Sequence, residues 1–193
     1  MKIATYNVWN EDKGIGKRFN QLVHEINNVD ADIIGLQEVT PYFYNNILVK
    51  ETNYKYCIYE KYRDEEEGLA ILSKYPIHTH FFLHEKEEYS YSNALVAFFE
   101  LDEMLFSFTN VHLPWDSVKE QETQIIAINR FLHEQGHQRD FSILLGDFNS
   151  DIHSSVDKFL SGEQTLKEYE ANPYWNELSS AFARLNNLLK LRT

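Results

Sequence analysis

A chain of 193 residues is long enough for one sizeable hydrophobic core and short for two. Hydrophobic residues at 43% and aromatics at 15% exclude a disordered composition. A net charge of -12, from 18 basic and 30 acidic residues, argues against a nonspecific grip on a nucleic acid backbone, which needs many Lys and Arg contacts. Cys57 is the only cysteine, which excludes an intrachain disulfide and suits a small buried hydrophobe. The opening MKIATYNVW lacks the apolar run of a signal peptide, and no stretch reaches the ~18 apolar residues of a membrane span. A reduced, cytoplasmic setting is the expectation.

The alternation of Ile3, Thr5, Asn7 and Trp9 with Ala4, Tyr6 and Val8 predicts a strand over Lys2 to Trp9. After a turn at Gly14 and Gly16, Phe19, Leu22, Val23 and Ile26 recur at helical spacing. Asp32 to Val39 reads as a short apolar strand ending in Gln37-Glu38, and Pro41 opens a helix holding Phe43, Tyr44, Ile47 and Leu48. Five strands rich in aromatic and β-branched residues follow: Tyr54 to Tyr59, Leu69 to Ser73, Ile77 to Leu83, Ala94 to Leu101 and Leu105 to His112. Asp102-Glu103 is a hairpin turn, and the acidic run Asp64 to Glu67 is a solvated loop. Ser117 to Glu134 is an amphipathic helix, and Phe141 to Leu145 a buried strand running into Gly146-Asp147-Phe148-Asn149. Val156 to Leu160 and Tyr174 to Leu189 read as helices. No linker, repeat or low-complexity tract divides the chain, so residues 1–193 form a single domain.

Polar residues gather where these strands end: Asn7, Glu38, His112, Asp147 and Asn149. Asp147 and Asn149 are two apart and point the same way on an extended backbone, with Gly146 leaving room for a ligand beside them. A carboxylate at Glu38 and an amide oxygen at Asn7 suit a hard divalent ion that keeps several waters, as Mg²⁺ does. Each residue also has a plain reading. Asn7 can cap a strand, Glu38 can favour a helix start, His112 can be a satisfied core histidine, and the Gly-Asp-Phe-Asn string can be a turn. The other histidines show no ligand spacing. Trp9, Tyr42, Tyr54, Tyr91 and Trp115 are candidates to stack on a base or sugar, against ordinary core or rim packing.

The order of the strings changes the weighing. TYNVWN, IIGLQEV, GLAILSKYPI, FTNVHLPW and ILLGDFNS, in that order over residues 2–151, resemble the endonuclease/exonuclease/phosphatase superfamily, the deoxyribonuclease-I-like fold. The resemblance implies an α/β fold: a four-layer α/β/β/α sandwich of two mixed β-sheets flanked by helices. It implies a divalent-metal-dependent phosphoesterase, with Mg²⁺, or Mn²⁺ in its place, at Asn7 and Glu38. It implies that Glu67 orients His112, that His112 and Asn149 bind the scissile phosphate, and that Asp147 handles the proton of the attacking water. The substrate would be a phosphodiester or phosphomonoester of nucleic acid, nucleotide, phospholipid or inositol type.

The chain departs from that pattern after Asp151, where 42 residues remain and no Ser-Asp-His string occurs. The fold is therefore expected to be incomplete at its C-terminus, with an open sheet edge that favours self-association. Reduced turnover is expected as well, which leaves a catalytically impaired or inactive binding module of the same fold as the alternative.

Overall fold

The computed structural model describes residues 1–9, 15–62, 65–83, 94–135 and 139–166. Asp64, Tyr91 and the helix predicted over Tyr174 to Leu189 lie outside them.

Among these residues eight strands form two mixed four-stranded sheets. The first sheet runs in the order β1 (Ile3–Asn7), β2 (Ile33–Val39), β4 (Gly68–Ser73), β3 (Tyr56–Lys61), with only the β1/β2 pair parallel. The second runs β5 (Thr79–Leu83), β6 (Ala94–Leu101), β7 (Met104–His112), β8 (Phe141–Asp147), with only β7/β8 parallel. Among the described residues β8 is therefore an edge strand.

Three apolar clusters mark the three interfaces of a four-layer sandwich. Leu22, Val23 and Ile26 of α1 (Ile15–Val29) pack with Phe43, Leu48 and the outer face of the first sheet. Ile33, Ile71, Leu95, Phe106 and Ile143 fill the space between the sheets. Ile125, Ile128 and Leu132 of α4 (Val118–Glu134) cover the second sheet together with Val156 and Phe159 of α5 (Ser155–Leu160). The predicted architecture is the one observed.

Local chemistry sets the element boundaries. Ser117 caps α4, its hydroxyl accepting from the Glu120 N–H at 3.3 Å, in the Ser-x-x-Glu pattern that marks a helix start. Thr40 caps α2 (Pro41–Phe43), whose first position is proline. The chain then passes through a π-helical stretch, Tyr44–Leu48, into α3 (Val49–Glu51), so the helix predicted after Pro41 is present but irregular. The predicted first strand stops at Asn7 rather than Trp9, because Trp9 turns into the left-handed region at φ 45°.

A buried polar clip joins the sheets. The Asn110 side chain on β7 donates to the Leu36 carbonyl at 2.9 Å and the Ala70 carbonyl at 3.0 Å, and accepts from the Gln37 side-chain amide. Leu36 and Ala70 are the last regular partners before the β2/β4 register shifts, so the amide fills the break in the ladder. Gly35 makes this possible, since a Cβ there would lie 2.8 Å from Asn110 Cγ.

Candidate active site

Each predicted site residue sits at a strand end along one rim of the sandwich. Asn7 closes β1, and Glu38 occupies the bulge near the end of β2 with a left-handed backbone, φ 59°. The bulge lets consecutive residues diverge: Gln37 is buried between the sheets while the Glu38 carboxylate is about one-fifth exposed. His112 and Asp147 are register partners at the ends of the parallel strands β7 and β8.

The two halves meet through Asn7. Its side-chain amide donates to Glu38 Oε1 at 2.7 Å and to Asp147 Oδ2 at 2.9 Å, so carboxylates from different sheets converge on one donor. His112 Nε2 lies 3.9 Å from Glu38 Oε1. The Asn7 oxygen accepts from the Trp9 N–H at 2.8 Å, which turns it away from the carboxylates. The sequence led us to expect that oxygen at a metal, whereas here the amide nitrogen is the group that faces them.

Asn149 braces the aspartate from its backbone, at φ 45°: its N–H donates to Asp147 Oδ1 at 3.0 Å. Its side chain donates to the Leu113 carbonyl at 2.8 Å, tying the loop after β7 to the loop after β8. Gln121 of α4 reinforces the tie, donating to the carbonyls of Pro114 at 2.7 Å and Asn149 at 2.8 Å.

Glu67 lies in the same cleft, and its backbone carbonyl accepts from the Tyr62 N–H. The Tyr62 hydroxyl stands 3.3 Å from His112 Nδ1. Burial above all, and then the Glu67 charge, raises the Tyr62 phenol well above its ordinary range, so it stays protonated. A phenol donating to Nδ1 leaves the imidazole proton on Nε2, the nitrogen facing Glu38 and the cleft. Burial also holds the His112 pKa below its usual value, although Asp147 and Glu38 pull the other way.

The sequence reading missed Tyr62 and Gln121, since neither stands at the end of a predicted strand and both act through tertiary contacts. It also misassigned Gly146. At φ 142° this glycine gives way to a neighbouring strand rather than to a ligand, for a Cβ there would lie 2.0 Å from the Val111 carbonyl oxygen. Tyr54 is no cleft aromatic either, being 6% exposed inside the first core cluster. Tyr42 and Trp9 are exposed, with Tyr42 next to the Phe19 ring and the Arg18 guanidinium over the Trp9 indole.

These residues enclose an open cleft of about 390 Å³. Its lining carries Glu38, Glu65, Glu67, Asp116 and Asp147 together with His112, and among the described residues no Lys or Arg. Glu65 feels the crowding: burial first, and then the Glu38 charge, raises its pKa. Among the described residues no three His, Cys, Asp or Glu side chains are arranged to close around a metal. The donor set nevertheless fits an ion of the magnesium kind, which takes one or two carboxylates, keeps its waters, and relieves the repulsion between converging anions. The arrangement can therefore hold a hydrated cation beside an imidazole N–H and a braced carboxylate.

Comparison with known proteins agrees with the fold. A functionally unknown conserved protein from Enterococcus faecalis V583 is 27% identical, with a TM-score of 0.73 over 84% of this chain and 72% of its own. A mannosyl-6-phosphatase from Bacteroides thetaiotaomicron is 20% identical, with a TM-score of 0.70 over 82% of this chain and 68% of its own. ANGEL2, a 2′,3′-cyclic phosphatase solved with adenosine-2′,3′-vanadate, is 19% identical, with a TM-score of 0.70 over 83% of this chain and 57% of its own. No curated protein matches the chain. Among the described residues no helix is long and apolar enough to cross a membrane. Residues 4–187 match the model of the Endonuclease/Exonuclease/phosphatase family, and the chain belongs to that family.

Proposed function

We propose that this chain is a divalent-metal-dependent phosphoesterase that cleaves its substrate by in-line attack of water. The observation carrying this reading is the convergence of the Glu38 and Asp147 carboxylates on the Asn7 amide, with His112 alongside. Family membership supports phosphoester hydrolysis broadly.

Glu38 is the principal ligand for Mg²⁺ or Mn²⁺, and Asn7 fixes its carboxylate against Asp147. A 180° turn of the Asn7 amide would offer its oxygen as a second ligand. The bound ion supplies positive charge against the phosphoryl oxygens. Asp147, braced by the Asn149 N–H, orients the attacking water and accepts its proton. His112 donates a hydrogen bond from its Nε2–H to a phosphoryl oxygen and stabilises the negative charge that develops there. Tyr62 keeps that proton on the correct nitrogen, and Glu67 adds negative charge behind the pair. Asn149 helps position the phosphate through the loop it ties down. A cytoplasmic setting belongs to the same reading, supported by a single half-buried cysteine.

The test is hydrolysis of bis-p-nitrophenyl phosphate with Mg²⁺ or Mn²⁺, with excess chelator, and with Asp147→Ala. Turnover that chelator abolishes and the variant lowers ~10²- to 10³-fold supports the enzyme. Ion binding without turnover in the wild-type chain would instead mark a catalytically silent binding module.

A further inference from the structure

We propose that Trp115 and Asp116 form a subsite for a polyhydroxylated ring, so that the substrate is a sugar or cyclitol carrying a single phosphate. This deepens the phosphoesterase reading and rests on it.

The first observation is the exposure of Trp115. The indole is 81% exposed in the wall of the cleft, three residues after His112. Trp is a costly residue to leave in water, because its large apolar face forgoes burial. A loose loop does not explain it. Leu113 is 1% exposed and its N–H donates to the Asp147 carbonyl at 2.9 Å. The Leu113 and Pro114 carbonyls are taken by Asn149 and Gln121, and Ser117 caps the helix that follows. The ring is thus held out beside the phosphate-handling residues by a firmly tied backbone, which is how an aromatic platform for a ligand ring is built.

The second observation is the donor and acceptor balance of the cleft. Ionised carboxylates only accept hydrogen bonds. One hydrated ion uses one or two of the five present, and Asp116 and Glu65 lie in the lining beyond the Glu38–Asp147 pair. A ligand complementary to such a wall is rich in donors away from its phosphate. Ring hydroxyls supply many donors, and the C–H face of a pyranose or cyclitol lies flat on an indole. A nucleic acid strand is a poorer match, because further phosphates would meet these carboxylates, and among the described residues no Lys or Arg lines the cleft to receive them.

Saturation-transfer NMR tests the assignment with the full chain in Mg²⁺, using glucose 6-phosphate, mannose 6-phosphate, myo-inositol 1-phosphate and 5′-AMP as separate probes. We expect saturation on the ring C–H protons of at least one polyol phosphate. Trp115→Ala should remove it and weaken that ligand's Kd about tenfold, while Trp115→Phe retains most of it. Because the side chain is exposed, the alanine variant should fold, which a thermal melt checks. Saturation of the adenine protons in place of any polyol ring, or a polyol Kd within twofold of wild type in Trp115→Ala, overturns the subsite. Bis-p-nitrophenyl phosphate separates the two layers. Turnover without polyol binding at Trp115 sinks only the subsite, whereas Trp115-dependent polyol binding with no turnover of any phosphoester sinks the hydrolase.

Discussion

Replacing Asn110 with Ala removes the polar clip between the sheets, and the structure fixes what is lost. Three groups each lose a hydrogen bond in one step: the Leu36 and Ala70 carbonyls and the Gln37 amide. At about 1 kcal/mol net for each hydrogen bond, and somewhat more where a buried group is left without any partner, the loss comes to about 3–5 kcal/mol. Gln37 keeps a contact with the Thr5 hydroxyl at 3.0 Å, which holds the sum toward the lower end. Domains of this size have about 5–15 kcal/mol in all, so the variant should fold but lie near its limit. Urea denaturation followed by tryptophan fluorescence measures this directly. With a slope of ~2 kcal/mol/M, the midpoint should fall by roughly 1.5–2.5 M at an unchanged slope. Thr123→Ala serves as the control, since it deletes an exposed hydroxyl contact on α4 and should shift the midpoint hardly at all. An Asn110→Ala shift below about 0.5 M would refute the reasoning, because it would show that the three partners are satisfied without the clip.

Two further predictions concern His112. Tyr62→Phe deletes the hydroxyl 3.3 Å from Nδ1 and should lower kcat roughly 10- to 100-fold with little change in KM. Imidazole ¹⁵N shifts should show the Nε2–H tautomer lost in parallel, and a full set of wild-type shifts in the variant would contradict the role. Burial also makes the folded His112 pKa lower than the unfolded value of 6.5, so in acid the unfolded chain takes up the proton first. Stability is therefore complete above about pH 6.5 and falls as pH drops from there through the depressed folded pKa. Urea midpoints between pH 7.5 and 5 should show a decline that is reduced in His112→Asn, and equal declines would count against it.

Much of this site could be read from the chain because its residues stand at strand ends, where alternation and burial stop and polar side chains need another reason to be there. Glu38 after IIGLQ and Asp147 after ILLG are such places, and the structure brings both to Asn7. The helix from Ser117 to Glu134 was legible for a related reason, since it rests on local periodicity, whereas the four-layer order was legible only through the family resemblance. Asn110, Gln121 and Tyr62 were not, because each looks like an ordinary strand, helix or loop residue until a partner tens of residues away is placed against it. For the same cause Tyr54 kept two open readings, of which core packing is the one observed, and Gly146 was misread. The first is buried by packing around α1, and the second answers to a neighbouring backbone that no sequence window contains.

The seam between the sheets runs through the middle of the site. Glu38 arrives from one sheet, while His112 and Asp147 arrive from the other, with the Asn7 amide as the stitch across the join. If Glu38 holds the ion while His112 and Asp147 act on the substrate, as proposed, ion affinity and bond-breaking power are inherited from different slabs and can drift apart under selection. On that reading a lineage loses catalysis through changes in one slab while keeping a cation in the other. The same division makes turnover a gauge of alignment, because a sub-ångström slip of one slab over the other would part the two carboxylates long before either slab came undone.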